Sequence, residues 1–535
     1  MSLYQPPRTD IAVQPELLQK IASGNELLRR GRIQEAVDLG RQLASSYPDQ
    51  ANAFAFAAEA SRVAGDLQAA LDWIDQAIAC GDNPQHRIKK AWLLSRLLRR
   101  DEIPALLAEV VAKAGDDALL LWQLGKLYYH HNYLGEAIAL YERALAVAGD
   151  RPGWRYDLAI ARFYSGDFER AEEDLEKVLA VSPQAGAVIY LRSTLRKQRP
   201  DNNHVADLEA RLQAGFAKAE DEAGALYALA KELEDLGEHE RSFTLLLEGA
   251  RKKRSSIHYD IADFRTMLRE VREVQDSVAL AASPAGNEGE GAIFIVGMPR
   301  TGTTLAERML LQSGKVKDAG ELLDFGYLLT AEVQQVRKAN PSLSPAQATM
   351  QVDFASLGRK YMQAARQMAG GNTWFIDKMP ANYMYCGLIR MALPAAKIIH
   401  LVRDPMDSCF AIFKTLFFNA YDFSYDQEEL AEYYILYRQM MKHWHEAMPG
   451  AILDVRYEDL VTDTEAQVRR IYEWCGLEWT PEALTVPDKN TVFATASAAQ
   501  VREPVHARSV GSSRKHAARL GPMAARLAAA GIVEG

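Results

Sequence analysis

A residue spacing that recurs through the first half of the chain constrains its fold more than any other feature. A glycine or asparagine is found five residues before an alanine or serine at Gly31/Ala36, Gly65/Ala70, Asn132/Ala137, Gly166/Ala171 and Gly237/Ser242. Successive pairs are 34, 67, 34 and 71 residues apart, so the intervals are one period or close to two. Apolar residues recur every three or four positions around each pair, which predicts two helices that cross at a small residue. The spacing therefore predicts an N-terminal all-α solenoid, with degenerate units near residues 99 and 200.

One unit shows the packing positions most clearly. Its large, small and aromatic residues are Leu121, Leu124, Gly125, Tyr128, Ala137, Tyr141 and Ala144. Pro48 and Pro183 lie at repeat ends, where proline stops a helix. The array resembles tetratricopeptide repeats over about residues 15–183, and irregular helical pairs extend the expected domain to 15–275. The resemblance implies a concave surface that docks an acceptor peptide or partner protein, and the alternatives are bracing of the second domain or self-association as a homodimer.

The pattern of apolar residues changes after a predicted linker, residues 276–291, which is rich in Ala, Gly, Ser and Pro. Beyond it, residues 292–535 alternate short apolar runs with helical stretches. The predicted strands are 292–296, Trp374–Ile376, Lys397–Val402 and Ile452–Arg456. This alternation predicts an α/β domain with a parallel sheet, whose ligand binds at the carboxyl ends of the strands.

A glycine-rich loop directly follows the first of these strands. Gly297 and Gly302 frame Met-Pro-Arg-Thr, and the helical segment begins after them. Such a P-loop-like turn points backbone N–H groups at phosphate oxygens. A nucleotide triphosphatase would carry lysine where Thr303 stands, whereas the cation here is Arg300, and no later strand offers a clear acidic magnesium ligand. A nucleotide kinase with an atypical loop stays open as an alternative.

Four motifs in the second half together resemble sulfotransferases, over about residues 292–516. They are the loop 297–304, the segment 397–408 with Arg403, the segment 456–460 and the late segment 497–505. The resemblance implies that 3′-phosphoadenylyl sulfate (PAPS) is the co-substrate and that no metal is needed. The donor-binding residues that it implies are Pro299, Arg300, Thr301, Gly302, Thr303, Thr304, Arg403, Ser408, Tyr457 and Arg514.

The catalytic residues also follow from this resemblance. Residues 375–382 hold no histidine, the base of the cytosolic enzymes, but do hold a lysine, as in tyrosylprotein sulfotransferases. The resemblance to that group implies Glu321 as general base, Lys378 as the cation at the leaving group, and Ser497 as an assisting residue. The expected reaction is sulfuryl transfer to a hydroxyl, with tyrosine in a peptide as one acceptor.

Two departures from the family pattern leave a third alternative open. The serine that the family places eight residues after the phosphate-binding arginine is Ala411 here, and Ser512 occupies a position that is usually basic. Arg514 or Lys515 are the cations that would compensate. A repeat scaffold with a catalytically weakened nucleotide-binding domain is therefore an alternative to the enzyme.

Composition excludes several other classes of protein. The net charge of −9 is unsuited to coating nucleic acid, and the four cysteines lie far apart, without a CxxC pair. No apolar run is long enough for a membrane span or a secretory signal, so a cytoplasmic protein without membrane contact is expected. His400, among Ile and Leu, is expected in the core rather than on a ligand. The aromatic run 417–437 is expected either in an acceptor pocket or in packing.

Overall fold

A computed structural model describes residues 14–281, 286–418, 420–485 and 503–533. The chain divides into two compact units between Trp154 and Arg155. This division lies upstream of the predicted linker 276–291. The linker region instead marks the place where helices give way to the sheet, whose first strand begins at Ala292.

The first unit consists of paired helices. They are α1 (Pro15–Arg29), α2 (Ile33–Ser46), α3 (Ala51–Val63), α4 (Leu67–Cys80), α5 (Pro84–Arg96), α6 (Ile103–Lys113), α7 (Ala118–His130) and α8 (Leu134–Ala148). The recurring residues Gly31, Gly65 and Asn132 have φ values of 73°, 83° and 64°, so each reverses the chain in the left-handed region between two helices. Leu98, with φ 58°, takes the same place in the degenerate unit near residue 99.

The small residues of the pattern lie where paired helices cross. Ala36, Ala70 and Ala137 have no exposed surface. A Cβ atom on Gly125 would lie 2.7 Å from the ring of Tyr141, so only glycine admits this aromatic side chain. The helix-pair prediction is confirmed in this unit.

The second unit begins with another series of helices. They are α9 (Pro152–Ser165), α10 (Phe168–Val181), α11 (Gly186–Thr194), α12 (Val205–Ala214), α13 (Ala219–Asp235), α14 (His239–Ser255), α15 (Ile261–Val274) and α16 (Ser277–Ala281). Gly166 and Gly237, both with φ 87°, form the same turn as the glycines of the first unit. Tyr227 and Phe243 share one hydrophobic core with Phe294 of the sheet, so these helices pack as part of the α/β domain.

A five-stranded parallel sheet forms the centre of that domain, in the order β2-β3-β1-β4-β5. The strands are β1 (Ala292–Gly297), β2 (Lys317–Gly320), β3 (Phe375–Asp377), β4 (Lys397–Val402) and β5 (Ile452–Arg456). Four of them are the predicted strands. The sequence reasoning missed β2, because it is a four-residue edge strand with Lys317 exposed, and it therefore lacks an apolar run.

Helices cover the sheet and follow its carboxyl edge. They are α17 (Thr303–Leu311), α18 (Asp324–Ala339), α19 (Pro345–Thr349), α20 (Phe354–Met368), α21 (Cys386–Ala392), α22 (Pro405–Phe413), α23 (Gln427–Ala447), α24 (Tyr457–Thr462), α25 (Thr464–Cys475) and α26 (Gly521–Ala529). Across the described part of the chain, no helix combines the length and apolarity that a membrane crossing requires. Of the predicted site residues, Arg300, Lys378 and Arg403 each follow the carboxyl end of a strand, as expected for a parallel sheet.

Candidate active site

The loop between β1 and α17 is tightly folded. Arg300 lies in the left-handed region with φ 66°, and Gly302 has φ 97°. A Cβ atom on Gly302 would lie 2.6 Å from the ring of Tyr457, which explains the need for glycine at this position. Thr301 Oγ1 donates a 2.7 Å hydrogen bond to the carbonyl of Met298 and braces the loop from behind. The loop thus presents the N-terminus of a nine-residue helix, a site suited to an anion.

Arg403 follows β4 and reaches this loop. Its guanidinium donates to the carbonyl of Arg300 at 3.0 Å and to that of Ser509 at 2.7 Å. It also lies 4.8 Å from the centre of the Tyr457 ring, and the Tyr457 hydroxyl lies 2.8 Å from Ser509 Oγ. The Arg403 Nε is buried and has no hydrogen-bond partner among the described residues. The structure therefore joins three predicted donor-binding residues and leaves a guanidinium N–H available for a ligand.

Asp407, a residue that sequence reasoning missed, anchors residues 511–513 beside Arg403. The buried carboxylate of Asp407 accepts hydrogen bonds from the backbone N–H of Gly511 at 2.5 Å and of Ser513 at 2.8 Å. Ser512 Oγ lies 3.4 Å from the same carboxylate. The serine at this unusual position thus contributes to the anchor. No local pattern indicated this contact, because its partners are more than 100 residues apart.

Glu321 and Lys378 follow the ends of two neighbouring strands. Gly320 of β2 pairs with Asp377 of β3, and the Lys378 N–H donates to the Gly320 carbonyl at 3.0 Å. Lys378 Nζ donates to Glu321 Oε1 at 2.5 Å. The side chain of Lys378 is 3% exposed and that of Glu321 is 35% exposed, so the carboxylate covers a buried cation. The sheet register brings two of the three predicted catalytic residues together.

A second carboxylate, Glu307 of α17, lies behind the lysine. Glu307 Oε2 is 3.9 Å from Lys378 Nζ, and both side chains are buried. Burial alone would lower the pKa of Lys378, but the carboxylates of Glu307 and Glu321 raise it above its ordinary value. Burial raises the pKa of Glu307 well above the usual range. Lys378 is therefore a cation at neutral pH, with the Glu321 carboxylate as its hydrogen-bonded partner.

Asp377 connects the two strand ends. It is fully buried and accepts from Tyr361 Oη at 2.6 Å, Asn382 Nδ2 at 3.1 Å, and the backbone N–H groups of Leu322 and Met379 at 3.3 and 3.1 Å. Leu322 follows Glu321, and Met379 follows Lys378. Asp377 consequently fixes the backbone on both sides of the pair.

Glu321, Arg403 and the phosphate loop open onto one cavity of about 1510 Å³. Its wall includes Glu321, Arg403, Tyr457 and Ala411, together with the loop residues Pro299, Arg300, Gly302, Thr303 and Thr304. It also includes residues of the preceding helices, such as Tyr164 and Tyr190, which sequence reasoning did not connect with the site.

Thr301, Ser408 and Arg514 are not among the described residues that line the cavity. Thr301 is buried behind the loop, and Ser408 is buried with its Oγ unpartnered among the described residues. Arg514 is exposed, and its neighbour Lys515 belongs to the described wall of the cavity instead. Ser497 lies outside the described residues.

His400 is buried, as expected, but it belongs to a polar cluster. Its Nδ1 lies 2.8 Å from Asp454 Oδ1, its Nε2 contacts the Tyr437 hydroxyl, and His445 Nε2 lies 3.1 Å from the same Asp454 oxygen. The ligand atoms of the two histidines and Asp454 lie within 4.8 Å of one another, a separation that a metal ion could bridge. These hydrogen bonds occupy the groups without an ion, and the absence of a metal requirement stays a prediction.

Comparison with known proteins agrees with this geometry. Residues 292–481 match the sulfotransferase family, and residues 21–84 and 116–196 match tetratricopeptide repeats. The chain is 27% identical over 368 residues to an uncharacterized protein from Aquifex aeolicus, covering 67% of this chain and 48% of that protein. It is 32% identical over 111 residues to the omega-hydroxy-beta-dihydromenaquinone-9 sulfotransferase Stf3 of Mycobacterium bovis, covering 19% of this chain and 28% of that protein. The chain thus spans about half or less of these relatives.

Among solved structures, the sulfotransferase domain of the Synechococcus PCC 7002 olefin synthase aligns with a TM-score of 0.33 at 19% identity, over 43% of this chain and 90% of that domain. MamA from Desulfovibrio magneticus aligns with a TM-score of 0.28 at 20% identity, over 32% of this chain and 98% of that one. Residues 292–481 thus match a sulfotransferase family, and they follow residues that match tetratricopeptide repeats.

Proposed function

We propose that the protein transfers a sulfuryl group from PAPS to an acceptor hydroxyl. The observation that supports this proposal best is the Glu321–Lys378 pair on adjacent strand ends, beside the cavity lined by the phosphate loop and Arg403. The loop and Arg403 would hold the phosphates at opposite ends of the donor, because helix N-terminal amides and a planar guanidinium both suit phosphate oxygens.

In the proposed reaction, the acceptor oxygen attacks sulfur and its proton passes to Glu321. The bond from sulfur to the bridging oxygen breaks, and 3′,5′-adenosine bisphosphate leaves. Lys378, cationic and buried, stabilises the charge that develops on that oxygen. The pair thus separates proton removal from leaving-group stabilisation between two residues in contact.

We propose tyrosine in a peptide or protein as the acceptor, with the repeats as its docking surface. Aromatic side chains near Glu321 support an acceptor that carries a ring. Tetratricopeptide repeats commonly mediate protein interactions, which supports docking of a protein chain. The phosphate loop argues against a kinase, because Thr303 stands in place of the lysine that would reach the β- and γ-phosphates.

The test of the base is Glu321→Gln, which keeps the shape of the side chain but cannot accept the proton. Turnover of PAPS with a tyrosine-containing peptide should fall roughly 10²–10⁴-fold, the usual contribution of a general base. Calorimetric affinity for the bisphosphate should stay within about twofold, because donor phosphates do not contact the base. Glu332→Gln is the matched control, because Glu332 of α18 is likewise a half-buried carboxylate that is paired with a lysine, Lys360.

Lys378→Ala tests the second role. It should slow turnover through the leaving group, so an acceptor phenol of lower pKa should rescue Glu321→Gln but not Lys378→Ala. Normal turnover by Glu321→Gln with its ordinary acceptor would remove the assignment of the base.

A further inference from the structure

Aromatic side chains from two separate parts of the second unit meet on one wall of the cavity. Helices α9, α10 and α11 supply the first group, and the segment after α22 supplies the second. The members are Tyr156, Phe163, Tyr164, Phe168 and Tyr190 from the helices, and Phe417, Phe418 and Tyr421 from the segment. We call this set the aromatic wall.

The rings of the aromatic wall pack edge to face. Tyr190 and Phe418 have ring centres 5.9 Å apart at 72°, and Phe417 and Tyr421 have centres 4.8 Å apart at 74°. This geometry places ring edges against ring faces, the arrangement that aromatic quadrupoles favour. The first of these contacts also joins a helix of the repeat-like series to the segment that follows α22.

Polar contacts fix the start of that segment, residues 413–416, to helices α11 and α13. The Tyr190 hydroxyl accepts the N–H of Leu416 at 3.1 Å, and the Tyr227 hydroxyl donates to the Phe413 carbonyl at 3.1 Å. Lys414 Nζ lies 2.7 Å from Glu234 of α13. Because these contacts hold residues 413–416 in place without a ligand, the backbone that leads into Phe417 and Phe418 is ordered beforehand, which reduces the entropic cost of binding a ring.

The aromatic wall lines the same cavity as the predicted base and the phosphate loop. Burial and then the charge of Glu321 raise the pKa of Tyr164 and of Tyr421, which places both phenols in the field of that carboxylate. Burial raises the pKa of Tyr190, and the opposing charge of Arg300 acts on it from the other side. These three phenols are consequently uncharged at neutral pH.

The size of the cavity allows a second ligand beside a nucleotide. Small-molecule pockets measure about 300–1,000 Å³, whereas this cavity measures about 1510 Å³. A nucleotide at the loop and Arg403 leaves the side lined by the aromatic wall available.

We propose that helices α9 and α11, with residues 416–418 and 420–421, form the acceptor subsite, and that this subsite takes a flat aromatic ring whose hydroxyl faces Glu321. The orientation of the hydroxyl rests on the proposed function, whereas the preference for a ring rests on the wall alone. Helices before the sheet therefore contribute directly to the proposed acceptor site, in addition to any docking surface on the repeats.

The test compares 2-naphthol with decahydro-2-naphthol, which has the same carbon skeleton but no π system. Binding of each to the full-length protein is measured by calorimetry, with and without saturating 3′,5′-adenosine bisphosphate. The wild type should bind 2-naphthol about tenfold more tightly, because edge contacts from several rings favour a π face. Tyr164→Leu and Tyr421→Leu, on opposite parts of the wall, should each reduce this preference severalfold and leave bisphosphate affinity unchanged.

Tyr133→Leu is the control, because Tyr133 lies in the first unit and is 40% exposed. Equal binding of the two probes by the wild type overturns the proposal, as does an undiminished preference in both folded wall variants. The two proposals fail separately. Bisphosphate binding without a ring preference rejects the aromatic subsite alone, and a ring preference without bisphosphate binding rejects the donor assignment alone.

Discussion

At the scale of single residues, Asp377 connects the groups that the proposed chemistry requires. Burial raises the pKa of Asp377 to about 7, so the folded protein keeps a proton that the unfolded chain releases near pH 4. The stability that the folded protein gains by holding this proton is therefore complete below about pH 4 and is lost as the pH rises through about 7. The advantage of wild type over Asp377→Asn in free energy of unfolding should fall by on the order of 2–3 kcal/mol between about pH 5 and pH 7.5. Urea denaturation across this range measures it, and a constant difference would contradict it.

Ala411 offers a gain-of-function test at the same scale. It lies on the cavity wall in α22, where the family pattern has serine. A hydroxyl there adds a hydrogen-bond donor for the 3′-phosphate, so Ala411→Ser should tighten bisphosphate binding by ~1 kcal/mol, about fivefold. Ala411→Cys, similar in size but a weak donor, is the control. Equal affinities of the wild type and the serine variant would show that another group already satisfies this phosphate.

At the scale of elements, the sequence predicted what local patterns encode. The apolar runs of β1, β3, β4 and β5 and the left-handed turns between paired helices depend on neighbours in sequence, and they were found. The edge strand β2 was missed because its side chains are mostly polar. The aromatic wall and the Asp407 anchor were missed for another reason: their partners are brought together only by packing over 100 residues or more.

The Asp407 anchor makes an element-scale prediction about residues 508–516. Without its carboxylate, the N–H groups of Gly511 and Ser513 lose their acceptor, at about 1–3 kcal/mol each. The segment contacts Arg403 through Ser509, so a loosened segment must be ordered again when the donor binds. Asp407→Ala should therefore weaken bisphosphate binding at least tenfold and accelerate hydrogen exchange at residues 511–513.

A matched control separates this effect from the loss of any helix cap. Asp353→Ala removes the N-cap of α20, whose side chain accepts the N–H of Ser356. It should reduce stability by about 1 kcal/mol without affecting bisphosphate affinity. Unchanged affinity in Asp407→Ala, or an equal loss in both variants, would contradict a specific role for the anchor.

At the scale of the whole molecule, the described wall of the cavity belongs entirely to the second unit, from Tyr156 to His516. A ligand that binds only the folded site stabilises the unit that holds it, by about 2.7 kcal/mol at a hundred times its dissociation constant. The bisphosphate should therefore slow hydrogen exchange in the loop 297–304, in residues 508–516 and in α22. The helices α1–α8 should keep their exchange rates, because the described site has no residue there.

The same experiment, carried out with different ligands, distinguishes the sulfotransferase, kinase and scaffold hypotheses. The bisphosphate without Mg²⁺ should stabilise the second unit, because the loop offers Arg300 and no lysine at Thr303, and Asp377 is engaged by four hydrogen bonds. ATP with Mg²⁺ should protect the same peptides far less, since the loop has Thr303 in place of the lysine that reaches the β- and γ-phosphates. Stronger protection by ATP with Mg²⁺ would favour a kinase, and no protection by either ligand would favour a scaffold. Arg403 already contacts both the loop 297–304 and residues 508–516. A bisphosphate bound between them should therefore protect these two segments together rather than one alone.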